Sequence, residues 1–169
     1  MFAKFQRGFI ALLAWHLVVT LGACSSGYRG YKKAPYTVHG QHYRPMSVQQ
    51  ALDYRATGIA SHYNESKLFG LKRGVTAIGE KMMPWDISGA HKTLPLPCEV
   101  RVTNLENSKS VKMRINDRGP FISGRILDVS PRAAKKLGFY EQGLARVRME
   151  VISVGDAPYK RKKRTSWFF

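Results

Sequence analysis

Acid is scarce in this chain. Asp and Glu number 11 against 28 Lys and Arg, a net charge of +17. So basic a chain expects an anionic partner: lipid headgroups, lipopolysaccharide, an acidic wall polymer or nucleic acid. Cysteine is also scarce, with only Cys24 and Cys98. Long apolar runs are missing as well. The one candidate, Phe9 to Leu21, is too short for a comfortable membrane span. There is no internal repeat, P-loop, GxGxxG or CxxC, so nothing marks a phosphate cradle or a redox dithiol. His39 and His42 are two ligands at most, whereas a metal site needs three or four, so the pair reads as a solvated loop.

What is present begins at the N-terminus. Lys4 and Arg7 precede the apolar run, and Leu21-Gly22-Ala23-Cys24 follows it. A basic segment, a short apolar segment and small residues before a cut describe a secretory signal. A Cys directly after the small pair resembles a bacterial lipobox, in which Cys24 is lipidated and becomes the first mature residue. The other reading is an ordinary signal with a chance Cys. Cleavage before Cys24 removes Lys4 and Arg7 and no acid, leaving 15 of the 17 net positive charges. Export argues against nucleic acid as the partner. Cys98 is then the single thiol of the mature chain, so no intramolecular disulfide forms, and it reads as a small buried hydrophobe.

The organisation expected is a signal over 1–23, a lipid-anchored tether and lead-in over 24–56, one domain over 57–153 and a tail over 154–169. Residues 25–43 are Gly-, Lys- and Tyr-rich without a sustained period and read as tether. Ser47-Val48-Gln49-Gln50 has the form of a capping box. Strands are expected at Gly58–Tyr63, Glu99–Asn104, Val111–Ile115, Arg125–Val129 and Ala145–Val151, from alternation of apolar and polar residues. A turn falls over Ala77–Glu80 and a hairpin turn over Glu106–Lys109. One short helix is framed by Ser130 as N-cap, Pro131 at N1 and Gly138 at its end. Several short strands with one short helix predict a small closed barrel, an all-β fold with flexible termini. In the tail, Lys160 to Arg164 followed by Trp167-Phe168-Phe169 suits an anionic membrane interface or, equally, a solvated tail.

Asn116-Asp117-Arg118-Gly119-Pro120 is the stretch with chemistry in it. It ends an alternating strand at a Gly-Pro turn, which places Asp117 where a side chain projects into a groove. A carboxylate there is a candidate acid or base. The plainer alternative is an Asp that pairs with Arg118 or caps the turn.

Gly58-Ile59-Ala60-Ser61, Thr76-Ala77, Gly79-Glu80, Ala90 to Pro95, Val100 to Leu105, Asn116 to Phe121 and Arg125 to Ser130 occur in one order. Together they resemble the RlpA-like family, the rare lipoprotein A proteins, over about Gly58 to Val151. Pro35 to Val38 and Gly40 to Pro45 resemble that family's lead-in. The resemblance implies a six-stranded double-psi β-barrel and an envelope lipoprotein acting on peptidoglycan, anchored through Cys24 and facing the periplasm from the outer membrane. It implies a lytic transglycosylase that cuts MurNAc–GlcNAc bonds, preferably in peptide-free strands, and leaves 1,6-anhydro ends. Neither metal nor organic cofactor is needed. Further partners would be division or cell-wall proteins, and anionic lipid through Lys160–Arg164. By motif match Asp117 is the main acid/base, Glu80 the second carboxylate and His91 a partner that orients or tunes one of them. His62, Tyr63 and Arg118 are substrate-binding candidates. Asp128 precedes the helix and could help cap it. Either carboxylate could hold the proton.

Three departures from the pattern stand out. His62 replaces a usual Trp and Asn64 a usual Gly; the loop from Asn64 to Thr76 is longer and more basic; and Ile78 replaces a usual Asn before Gly79-Glu80, which predicts a differently shaped turn. No peptidoglycan-binding module is expected after the barrel. The other function class is a non-catalytic, expansin-like wall-binding lipoprotein using the same groove.

Overall fold

Alternation along the strands builds the core. The structure, a computed structural model, describes residues 32–63, 74–83 and 85–156, and the backbone of 159–160. The signal, Cys24, the basic loop 64–73 and the tail beyond 160 lie outside the described residues. The elements in chain order are β1 (Tyr36–Val38), β2 (Gln41–Tyr43), α1 (Val48–Leu52), β3 (Arg55–His62), β4 (Ser88–Ala90), β5 (Cys98–Asn104), β6 (Ser110–Asp117), β7 (Arg125–Val129), α2 (Pro131–Leu137), β8 (Leu144–Val154) and β9 (Tyr159–Lys160).

Six of these strands close on themselves in the order β3-β7-β4-β6-β5-β8, because β8 also pairs with β3. Two pairs are parallel, β3 with β7 and β4 with β6, and the rest are antiparallel. This is the double-psi β-barrel that the resemblance implies. Closure removes the free edges that a sheet of this size would otherwise expose. Inward residues alternate as expected: Val100 and Val102 of β5, Met113 and Ile115 of β6, Leu127 and Val129 of β7, and Val147, Met149 and Val151 of β8 are all buried. Cys98 joins them, and burial pushes its thiol up to about 12, which suits a packing role and no nucleophile.

The helix ends where its caps predict. Ser130 accepts from the Ala133 N–H, Pro131 opens α2, and Gly138 closes it in the left-handed region. With two turns, α2 depends on packing, and Ala133, Ala134 and Leu137 are buried. The capping box before α1 is also present, with Ser47 and Gln50 bonded reciprocally.

Two segments correct the expectations. Residues 36–43 are not tether. They form the hairpin β1–β2, turned by His39 and Gly40 at φ 49° and 75°, the paired positive φ values of a two-residue turn whose twist suits a hairpin. And β4, Ser88-Gly89-Ala90, is a central strand that no alternation announced. Gly89 lets it sit close: a Cβ there would lie 2.8 Å from the Asp128 carbonyl oxygen of β7.

Candidate active site

β4 brings the carboxylates together. Ala90 pairs with Asp128 of β7 on one side and with Asp117 of β6 on the other, and Asp128 pairs with Ser61 of β3. Ser61, Asp128, Ala90 and Asp117 therefore form one row across four adjacent strands, on the face turned away from the barrel interior. Asp117 and Asp128 lie two strand spacings apart, about 10 Å between backbones.

Asp117 reaches this row through a β-bulge. Gly89 pairs with Ile115 but Ala90 pairs with Asp117, so Asn116 is an extra residue in β6. Strict alternation would send Asp117 inward after Met113 and Ile115; the bulge turns it outward. Asn116 is freed to point its amide at Glu80, with Nδ2 2.7 Å from Oε2.

The turn 76–80 holds both carboxylates, in opposite ways. The Thr76 and Glu80 backbones pair, and Thr76 Oγ1 accepts from the Glu80 N–H at 3.1 Å. From this turn the Ala77 N–H donates to Asp117 Oδ1 at 2.8 Å, as does the Arg118 N–H at 2.8 Å. Burial raises the Asp117 pKa above its ordinary value, outweighing those two bonds and the Arg118 charge. Burial also acts to raise Glu80, but there the Arg114 and Asn116 bonds win and hold it below the ordinary value. Arg114 reaches Glu80 at 2.7 Å and Asp156 at 2.6 Å. Asp117 is thus the carboxyl inclined to keep a proton, and Glu80 the one held ionised. Ile78 needs no left-handed backbone here, because the positive φ of this turn falls on Gly79, at 84°.

His91 is a brace. Its ring is 3% exposed, and Nδ1 accepts from the N–H groups of Thr93 (3.1 Å) and Leu94 (3.0 Å). In the neutral ring the proton then sits on Nε2, which faces the Tyr54 hydroxyl at 3.4 Å. Burial drives its pKa down to about 3, helped by the charges of Arg118 and Lys92. Among the described residues neither carboxylate bonds to this ring, which differs from the orienting role that motif match assigns it. What His91 does supply to Asp117 is backbone: its N–H donates to the Asp117 carbonyl at 3.1 Å.

The substrate-binding candidates divide. Tyr63 follows Ser61 by two and shares its face of β3. Its hydroxyl is buried with no protein partner among the described residues, and burial, then the charges of Asp117 and Asp128, holds its pKa well above the ordinary value. It remains a neutral donor beside the row. His62 takes the opposite face, pairing with buried Val129 and stacking on Tyr140 at 4.8 Å, with its nitrogens on the carbonyls of Tyr63 and Tyr140. The Arg118 guanidinium also turns away from the row. It donates to the carbonyls of Leu94, Lys32 (3.2 Å), His91 and Lys92 (both 3.4 Å), tying the lead-in to the barrel.

Asp128, which its position before the helix suggested as a cap, lies in the row instead. Ser130, not Asp128, caps α2; Asp128 instead accepts from Ser61 Oγ, which in turn accepts from Arg125 at 3.1 Å. Its signal was present: between inward Leu127 and Val129, period two puts it outside. No cluster of metal-ligating side chains occurs among the described residues.

Residues 55–149 match the family model described as lytic transglycolase. The chain belongs to the lytic transglycolase family. It is 53% identical over 121 residues to the endolytic peptidoglycan transglycosylase RlpA of Pseudomonas aeruginosa, covering 72% of this chain and 34% of that protein. It is 46% identical over 129 residues to the protein of the same name from Neisseria meningitidis, covering 76% of this chain and 52% of that one. The chain thus spans between a third and about half the length of these curated relatives. Among solved structures it is similar to the Streptomyces papain inhibitor, at 18% identity and a TM-score of 0.46 over 59% of this chain and 96% of that one. It is also similar to an expansin from Clavibacter michiganensis, at 17% identity and 0.45 over 59% of this chain and 50% of the other.

Proposed function

We propose that this member of the family is a lytic transglycosylase that cuts MurNAc–GlcNAc bonds of peptidoglycan glycan strands with Asp117 as its acid and base. The carrying observation is that one turn meets two carboxyls held differently: Asp117 half-buried on backbone N–H groups and raised, Glu80 bonded by Arg114 and Asn116 and lowered. Such a split is how one site assigns an acid and a charge at the same pH.

Asp117, protonated, gives its proton to the glycosidic oxygen as the bond to the MurNAc anomeric carbon breaks. Positive charge develops on that carbon and the ring oxygen. The Asp117 carboxylate then takes the proton of the C6 hydroxyl, whose oxygen closes on the anomeric carbon to give the 1,6-anhydro ring. No water is consumed, and the acid is restored. Glu80 and Asp128 supply negative charge near the developing cation.

The anchor completes the reading. Cys24 carries the lipid, which places the barrel in the cell envelope of a bacterium, on the periplasmic face of the outer membrane. Incorporation of a palmitate analogue into wild type but not into Cys24→Ala tests this.

For the enzyme, the full chain is incubated with intact peptidoglycan and with peptide-free glycan strands, and products are identified by mass spectrometry. Anhydro-ended fragments are expected from wild type and not from Asp117→Asn. Binding without cleavage by wild type would leave the non-catalytic, wall-binding reading in its place.

A further inference from the structure

The hairpin β1–β2 brings two tyrosine rings against Phe121, in the turn that follows Asp117, and the chemistry above uses none of the three. Tyr36 and Tyr43 are register partners whose rings stack at 5.2 Å and 18°. Phe121 leans on Tyr43 at 5.5 Å and 55°, and meets Tyr36 edge-on at 6.4 Å and 70°. Neither tyrosine lies flat on the Phe121 ring, which is 38% exposed, beside Ile122 at 54%.

The place of Phe121 is set by the turn that follows Asp117. Gly119 has φ 134°, which a side chain rarely adopts, and a Cβ built on it would lie 3.7 Å from Ala90 Cβ and 4.0 Å from Phe121 Cε2. Ala90 is the residue between Asp117 and Asp128. One glycine therefore separates the edge of the Phe121 ring from the floor of the row. The cluster is also fixed from behind. The Tyr36 hydroxyl donates to the Lys92 carbonyl at 2.6 Å, and the Arg118 guanidinium sits over the Tyr36 ring at 5.1 Å. A rigid, partly exposed ring at the rim of a polar groove fits a ligand with both a flat C–H face and an edge of hydroxyls, which is the shape of a pyranose.

We propose that Phe121, backed by Tyr43 and Tyr36, is a stacking platform for one sugar ring of the glycan strand, adjoining the pair of rings that is cut. The proposal rests on the glycan-cleaving reading of the groove. The platform holds the strand in line with Asp117 and acts on binding, not on proton transfer.

The test uses the full chain with peptide-free glycan strands as probe. Phe121→Leu keeps apolar bulk but loses the flat face; Phe121→Trp keeps the face. Kd is measured in an Asp117→Asn background, so that nothing is consumed, and KM and kcat in the wild-type background. Phe121→Leu is expected to raise Kd and KM about three- to tenfold with kcat held, from the size of a good ring contact. Phe121→Trp is expected to restore both. An unchanged Kd in Phe121→Leu overturns the platform, as does a loss shared by Leu and Trp that tracks a lower melting temperature. The two readings fail separately: cleavage by wild type with Phe121→Leu unaffected removes only the platform, whereas a wild type that neither binds nor cuts glycan removes both.

Discussion

Mild acid should weaken the fold through the buried ring of His91. The ring is buried and neutral, with its pKa taken from 6.5 down to about 3. In the unfolded chain it takes up a proton below about pH 6.5, while the folded chain refuses one until about pH 3. The unfolded state binds more protons in that window, so this stability is present above 6.5 and is lost as pH falls towards 3. At pH 5 the loss is about 1.5 pH units at about 1.4 kcal/mol each, or about 2 kcal/mol. That is a large share of the ~5–15 kcal/mol by which domains are stable. His91→Asn isolates it. An Asn Oδ1 can accept the Thr93 and Leu94 N–H groups in place of Nδ1, and Asn does not titrate. Melting followed by circular dichroism at pH 7 and pH 5 should show wild type losing about 2 kcal/mol more than the variant, about 8 °C in the difference. Every other titrating group is common to both proteins and cancels. Equal losses in the two proteins would refute the buried neutral brace. A pH–rate profile whose shape changes in His91→Asn would show that the ring itself moves protons.

Three further outcomes follow from the site. Asp117→Asn should lower the cleavage rate by about 10²- to 10⁴-fold, the usual contribution of a positioned acid. It should also melt higher than wild type at pH 7: the raised Asp117 pKa contributes stability below its unfolded value of 3.8, which is lost as pH rises through the folded value. A variant that is inactive because it is unfolded would contradict both. Glu80→Gln should be less stable than wild type at neutral pH, since the lowered Glu80 pKa contributes stability above 4.5 that fades as pH falls; scans at pH 7 and pH 3 should show the gap closing, and its rate loss should stay under about 10²-fold. Gly89→Ala forces a Cβ to within 2.8 Å of the Asp128 carbonyl oxygen, so it should cost about 1–3 kcal/mol in urea unfolding and reduce cleavage by parting the two carboxylate strands.

Much of the barrel could be read from local pattern, because its strands alternate and α2 carries its own caps. Val100 and Val102, Leu127 and Val129, and Val147 to Val151 declare their inward face two residues at a time. What escaped is set by pairing across the chain. Ser88-Gly89-Ala90 has no pattern, since a three-residue strand made of small residues is specified by its neighbours. The turn of β1–β2 needs positive φ at His39, and histidine does not announce this as Asn or Gly would. The strand-end place of Asp117, the turn that carries Glu80 and the packing role of Cys98 were legible from motif and context. The engagement of Arg118 by the carbonyls of Leu94 and Lys32, and of His62 Nε2 by that of Tyr140, was not, because these partners lie 24 to 86 positions away.

The bulge at Asn116 explains why the two carboxyls differ. One inserted residue does two things at once. It sends the Asn116 amide to Glu80, where Arg114 already reaches, so Glu80 has side-chain donors enough to stay charged. It turns Asp117 outward into the half-buried row, where its carboxyl's bonds among the described residues come from the N–H groups of Ala77 and Arg118. Those donors orient the carboxyl through one oxygen without outweighing the cost of burying its charge. With a regular β6, Asp117 would follow Ile115 into the core, and Asn116 would take the groove position with no proton to give. The proposed acid is therefore a property of strand register as much as of the residue, and the glycine that lets β4 approach β7 is what holds that register beside Asp128.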